Sequence, residues 1–366
     1  MRSYFSSLPG KERFPALTGI RAMGAAGVFF IHLPFEFGFS LLIDVMTFFF
    51  VLSGFLIVYL YYENTEIRHG NYRKYFVNRF ARIYPVYFLL VTIAILFRHD
   101  FRPVFLLKNY TLTHGLFNVI SDRAIQPSWS VTTEECFYLL APLTMLLIRK
   151  FNFLVALSFG AAMLGMALCI SFLPISFLHT PHFVFTITFF GHFFEFFCGI
   201  FLALVILKKQ KTGELTLTGK KFTVLGSIGI IITIGVLMIS DNMNDPKRPF
   251  EFLLINNFIL PMPIAILYYG LICEKSNLSA VLSFRLIRIL GRTSYSFYLV
   301  HMMVIESIAA PFIAPYFIRN HNLYVLAVFI LTQLIAYFLF IFYEEPFNIL
   351  IRKRNGRRTS ESIMLK

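Results

Sequence analysis

Leu17-Thr18-Gly19-Ile20-Arg21-Ala22-Met23-Gly24-Ala25-Ala26-Gly27-Val28-Phe29-Phe30-Ile31-His32 is an apolar, small-residue run interrupted by two ionisable side chains. Arg21 and His32 are eleven residues apart. On an α-helix that is three turns plus about 20°, so both project from one face with roughly 16 Å of rise between them. A run of this composition reads as a membrane helix, and ionisable groups inside one are costly enough to suggest function. The competing reading is an Arg that snorkels to one interface and a His satisfied at the other. Gly24, Ala25, Ala26 and Gly27 would let a second helix or an acyl chain come close.

Composition extends that reading to the whole chain. Of 366 residues, 57% are hydrophobic, 14% are charged and 46 are Phe, with a mean hydropathy of +0.71. A soluble fold could not cover so much apolar surface, so the expected class is an all-α polytopic membrane protein. Spans are expected near 15–36, 41–62, 83–98, 132–149, 151–174, 183–208, 222–240, 251–273, 289–313 and 322–344, a bundle of ten. The N-terminal stretch carries Lys11 and Arg13 but no small-residue cleavage site, so no removable signal peptide is read there.

A net charge of +14 could be mistaken for a nucleic-acid footprint. Its distribution excludes that partner. With these spans, 26 of the 33 Lys and Arg fall on the N-terminal side of the membrane and 7 on the other. The bias obeys the positive-inside rule and places both termini in the cytoplasm, with the protein integral to a plasma membrane. Residues 1–350 then form one transmembrane domain. Residues 351–366, with Arg352-Lys353-Arg354 and Arg357-Arg358, form a basic cytoplasmic tail with no appended soluble domain. Cys136, Cys169, Cys198 and Cys273 show no paired spacing, and His179 with His182 lacks a third ligand, so no metal site or disulfide framework is expected.

Further polar clusters interrupt the apolar spans. Ser53-Gly54 in the second span reads mainly as a bend, the serine bonding its own backbone, and otherwise as a nucleophile. Asp44 sits at the outer end of that span. Between spans two and three, Arg79 and Arg82 share a face of a cytoplasmic loop ahead of Pro85. Lys would serve topology equally well, whereas two Arg forks suit phosphate. The long outer loop ends in Trp129-Ser130-Val131-Thr132-Thr133-Glu134-Glu135-Cys136-Phe137-Tyr138, which holds the only Trp of the chain. Ser130 is placed to cap the fourth helix, with Glu134 and Glu135 in its first turns. His192 and Glu195 are spaced to pair, and Ser294, Tyr298 and His301 form a polar stripe in the ninth span. Glu344-Glu345 closes the tenth span beside the basic tail.

Taken in order, the Arg21–His32 spacing, Phe49-Phe50-Val51-Leu52-Ser53-Gly54-Phe55-Leu56, Arg79-Phe80-Ala81-Arg82-Ile83-Tyr84-Pro85, the Trp129–Tyr138 run and Ser294-Tyr295-Ser296-Phe297-Tyr298-Leu299-Val300-His301 resemble the acyltransferase-3 family over about residues 14–346. Two departures stand out. Thr47 occupies a position that is acidic in many members, and His192 stands where a basic residue is common. The resemblance implies a membrane O-acyltransferase, most simply an O-acetyltransferase. It would move an acyl group from cytoplasmic acyl-CoA, a co-substrate rather than a bound cofactor, to a hydroxyl of an exported glycan or lipid-linked sugar such as O-antigen or exopolysaccharide. It also implies that His32 is catalytic and that Arg21, Arg79 and Arg82 serve the donor.

On chemical grounds Glu134 or Glu135 would orient and charge-stabilise the imidazole, while Trp129, Ser130 and Tyr138 line the acceptor side. Ser53, Ser294, Tyr295 and His301 would support the site. The rival class is a transporter using the same His and Glu residues as a proton relay, for which repeat symmetry between halves is a usual sign; the sequence shows none.

Overall fold

The structure, a computed structural model, describes residues 14–33, 45–117, 122–214, 219–240, 249–317 and 320–364. Lys11, Arg13 and Asp44 lie outside them, and the side chains of Arg357 and Arg358 are likewise not described. Apart from short turns, the described chain is helical. Eight helices are long and apolar enough to cross a membrane, with Met46–Tyr61 a shorter apolar helix beside them. Adding Pro15–His32, which carries Arg21 and His32, gives a helix for each of the ten expected spans.

Numbered in chain order, they are α1 Pro15–His32, α2 Met46–Tyr61, α3 Arg73–Arg98, α4 Trp129–Lys150, α5 Phe153–Ser171, α6 Phe189–Thr212, α7 Lys221–Ser240, α8 Phe250–Cys273, α9 Ser294–Val304 and α10 His321–Leu339. The protein is therefore an all-α polytopic membrane protein. Both α9 and α10 run on into π-helical turns, Ile305–Ile313 and Phe340–Glu344. Such turns widen the helix locally and re-aim side chains.

The core is set by close approach of α2 and α6. A Cβ at Gly54 would lie 2.1 Å from the Phe196 carbonyl oxygen, and one at Gly199 would lie 2.0 Å from that of Val51. Each helix thus needs a glycine where the other's backbone touches it. In lipid, where apolar side chains gain little by leaving the solvent, this kind of small-residue contact is what holds helices together. Gly24 on α1 likewise faces the Phe49 ring of α2. The small-residue face of α1 is occupied there by a neighbouring helix.

Three local expectations are corrected. Residues 73–82 are not loop: α3 begins at Arg73 and carries Pro85 in its interior. The charged first turns belong to the same rod as the apolar span, which fixes Arg79 and Arg82 relative to the core. Ser53 does not bond its own backbone: within the continuous α2 it donates to Glu134 of another helix. Ser130 is not the cap of α4. The helix starts at Trp129 after Ser128, and Ser130 turns inward to Tyr298, 2.6 Å away.

Two cavities along one helix face: the candidate functional site

The polar side chains of α1 open into two cavities, one below the other. The inner one, about 120 Å³, is lined by Arg21 of α1, Ser53 of α2, Arg79 and Arg82 of α3, Ser130, Glu134 and Tyr138 of α4, and Ser294, Tyr295 and Tyr298 of α9. The outer one, about 400 Å³, is lined by His32, Arg123, Gln126, Trp129, His182, His192, Asn257 and Tyr298, among others. Met46 and Tyr298 line both, so they form the partition. Tyr298 is held in that role by its hydroxyl, which donates to the Pro127 carbonyl at 2.6 Å. The stripe Ser294–Tyr298–His301 on α9 runs parallel to Arg21–His32 on α1 and connects the same two levels.

The inner cavity is built around three arginines in different electrostatic states. Arg82 Nη1 pairs with Glu344 Oε1 at 2.5 Å, and Glu344 Oε2 accepts from Ser296 Oγ at 2.5 Å. Its charge is answered inside the protein. Arg79 has no such carboxylate. Its guanidinium sits 5.5 Å from the Tyr61 ring centre and 5.6 Å from that of Tyr138, and its buried Nε has no hydrogen-bond partner. Aromatic faces stabilise the cation, and Nη2 makes only a long contact, donating to the Tyr61 hydroxyl at 3.5 Å, which leaves most of the fork free. Arg21 makes no ion pair with any described residue. The cavity's own carboxylate, Glu134, accepts from Ser53 Oγ at 2.6 Å, with the Tyr138 hydroxyl 3.3 Å from the same oxygen of Ser53.

Glu344 was missed in the sequence, where Glu344-Glu345 reads as facing the basic tail. Instead Glu345 pairs with Arg292 at 2.8 Å and Glu344 turns into the bundle, because the π-helical turn at the end of α10 rotates it there. A carboxylate pair preceding a proline gave only a weak signal for this.

At the outer level, His32 is exposed to its chamber and makes two contacts. Nδ1 lies 2.9 Å from the Val28 carbonyl oxygen and 3.4 Å from Nε2 of His301. His301 is buried and points its own Nδ1 at the Tyr298 carbonyl, 2.5 Å away. Only an N–H can serve a carbonyl, so hydrogen-bond logic puts the His301 proton on Nδ1 and leaves Nε2 as a lone pair. The same logic puts the His32 proton on Nδ1, facing two acceptors. Nε2 of His32 is then the basic nitrogen. The structure brings His32 together with His301 and places Glu134 at the inner level with Ser53; Glu135 lines neither cavity.

His192, as its spacing predicts, pairs with Glu195 at 2.7 Å. Its ring lies 6.0 Å from that of Trp129, centre to centre. His182 lines the outer chamber, and no group of three or more His, Cys, Asp or Glu among the described residues could hold a metal ion. Beyond the chamber, buried His114 is bonded through Nε2 to Ser128 Oγ at 2.8 Å. Burial, with the nearby charge of Arg123 second, pushes its pKa down to about 4, so it is neutral where cells live.

Comparison with known proteins agrees with this arrangement of motifs. The family model described as an acyltransferase domain, acyltransferase-3, matches residues 14–341. The O-acetyltransferase OatA of Staphylococcus aureus strain NCTC 8325 is 24% identical over 374 residues, covering 93% of this chain and 57% of that protein. YrhL of Bacillus subtilis strain 168, named as a candidate peptidoglycan O-acetyltransferase, is 27% identical over 320 residues, covering 80% and 48%. The chain thus spans about half the length of the curated relatives it matches. No solved structure matches it.

Proposed function

The chain belongs to the acyltransferase-3 family, and from that membership we propose that it transfers an acetyl group across the membrane, from cytoplasmic acyl-CoA to a hydroxyl of a cell-surface or exported glycan. The observation that carries the proposal is the stacking of two chemically different cavities along one face of α1. The inner cavity offers Arg21 and Arg79 with unanswered charge, which suits the phosphates of a coenzyme A donor at its mouth. The outer chamber offers the His32 imidazole with its Nε2 unpartnered, and an aromatic face in Trp129 that suits a sugar ring.

In this account the thioester end reaches past Met46 and Tyr298 to the level of His32, where the acceptor hydroxyl gives its proton to Nε2 as its oxygen attacks the thioester carbonyl; the C–S bond breaks and the coenzyme A thiolate leaves toward the arginines. Val28 and His301 keep the imidazole in the tautomer that can accept that proton. Glu134 and Ser53 are positioned at the inner level, where the departing sulfur would need a polar neighbour. The bacterial inner membrane, with both termini cytoplasmic, is the location that fits the distribution of Lys and Arg. The name of YrhL brings peptidoglycan into the acceptor classes beside O-antigen and exopolysaccharide.

The acceptor half of this proposal is tested at Trp129. Replacing Trp129 with Ala removes one stacking surface and should raise the KM for the glycan about three- to tenfold, with kcat little altered. Trp129→Phe should recover most of the loss. Steady-state acetylation of a soluble oligosaccharide by the purified protein measures both. A fall in kcat with KM unmoved would place the indole in the fold and not at the acceptor.

A further inference from the structure

The outer chamber contains a cation that no carboxylate among the described residues answers. Arg123 sits on the loop segment leading into α4 and lines the chamber together with His32 and Trp129. Its residue is only 6% exposed, and its buried Nε has no hydrogen-bond partner. The adjacent carboxylate, Asp122, is engaged elsewhere, 2.9 Å from Lys108 and 3.6 Å from Arg102. Two other polar residues of the wall are already committed. His192 is committed to Glu195 at 2.7 Å. Asn257 donates to the carbonyls of Phe185 and Gly191 and accepts from Asn256.

The position of Arg123 is also built. Buried Asn109 clamps the backbone on both sides of it, donating to the Asp122 carbonyl and accepting from the Ala124 N–H, each at 2.8 Å. Arg98 donates to the carbonyl of Arg123 itself. A cation held out of water without a counter-charge is costly to keep, and a bound anion offsets that cost. A pre-positioned one loses little further freedom on binding.

We propose that the outer chamber selects an acceptor bearing an anionic group, a carboxylate or a phosphate, which Arg123 binds while His32 serves a hydroxyl of the same molecule. The proposal rests on the acyl-transfer reading above and names the substrate class within it.

The single Trp supplies the probe, since Trp129 lines the same chamber. The full chain in lipid nanodiscs is titrated with galactose, galacturonate and a galactose phosphate monoester while indole fluorescence is followed. One of the two anionic sugars should bind about ten- to a hundredfold tighter than galactose, the range of one charge-assisted hydrogen-bonded contact. Added salt should erode the preference. Arg123→Gln should bring the three affinities within about threefold of one another, and Arg123→Lys should keep part of the difference. Preference for the uronate assigns a carboxylate; preference for the ester assigns a phosphate.

Equal binding of all three by the wild type, no response to any of them, or an anion preference that survives Arg123→Gln would each overturn the proposal. If Arg123→Gln does not fold, the wild-type comparison and Arg123→Lys decide it. Acetyl transfer is assayed in parallel. Transfer without anion preference removes this inference alone, whereas anion preference without transfer removes the acyltransferase reading and leaves the site.

Discussion

In His32→Gln protein, acetyl transfer to glycan is expected to fall by about a hundred- to ten-thousandfold, the usual loss when a positioned general base is removed. Gln can replace the hydrogen bond to the Val28 carbonyl but cannot take up a proton, so geometry survives and chemistry does not. Donor binding should be unchanged, because Met46 and Tyr298 separate His32 from the arginine cavity. Calorimetric titration with acetyl-CoA beside a transfer assay distinguishes the two. His301→Gln should cost less, since Val28 still orients the His32 ring when its second partner is gone. Sustained transfer by His32→Gln would remove the imidazole from the reaction.

The second large effect separates two arginines that look alike in the sequence. Arg79→Lys keeps a positive charge between Tyr61 and Tyr138 but loses the fork, and should raise the donor KM about ten- to a hundredfold with thermal stability nearly intact. Arg82→Gln does the reverse. It strands Glu344, a carboxylate 1% exposed, without its cation. Removing one partner of such a pair should lower stability by up to about 3 kcal/mol, because the charge left behind is uncompensated. Melting curves in detergent and donor titrations on the two variants give a crossed pattern if the assignment holds. Matched losses of affinity with no change in melting would make both arginines donor ligands.

Much of this was legible in the residues. The all-α class follows from composition, and each expected span has its helix, because apolar runs of that length have few other stable forms in lipid. Arg21, Ser53, Arg79, Arg82, Ser294 and Tyr295 gather on one cavity from motifs far apart in the chain, but Ser130 and Tyr138, expected on the acceptor side with Trp129, join them there, because their turns of α4 lie below the level of His32. What sequence could not give is the partition between levels. Arg21 and His32 do share a face, but helical periodicity says nothing of Tyr298 reaching across to close the space between them. The partners of each carboxylate were equally hidden. Glu134 or Glu135 is expected beside the imidazole, but Glu134 bonds Ser53, because α2 and α4 meet below the level of His32, and Glu135 lines neither cavity. Glu344 reaches Arg82 only through a π-helical turn, a local geometry with no composition signature.

Sided transfer in proteoliposomes separates the roles of the two cavities. Vesicles are sorted by orientation, labelled acetyl-CoA is supplied only on the face carrying Arg79, and a glycan acceptor only on the face carrying Trp129. The two-cavity account predicts acetylated glycan on the Trp129 face, none when donor and acceptor exchange sides, and none with His32→Gln. Label appearing on the glycan only when donor and acceptor share one face would contradict it.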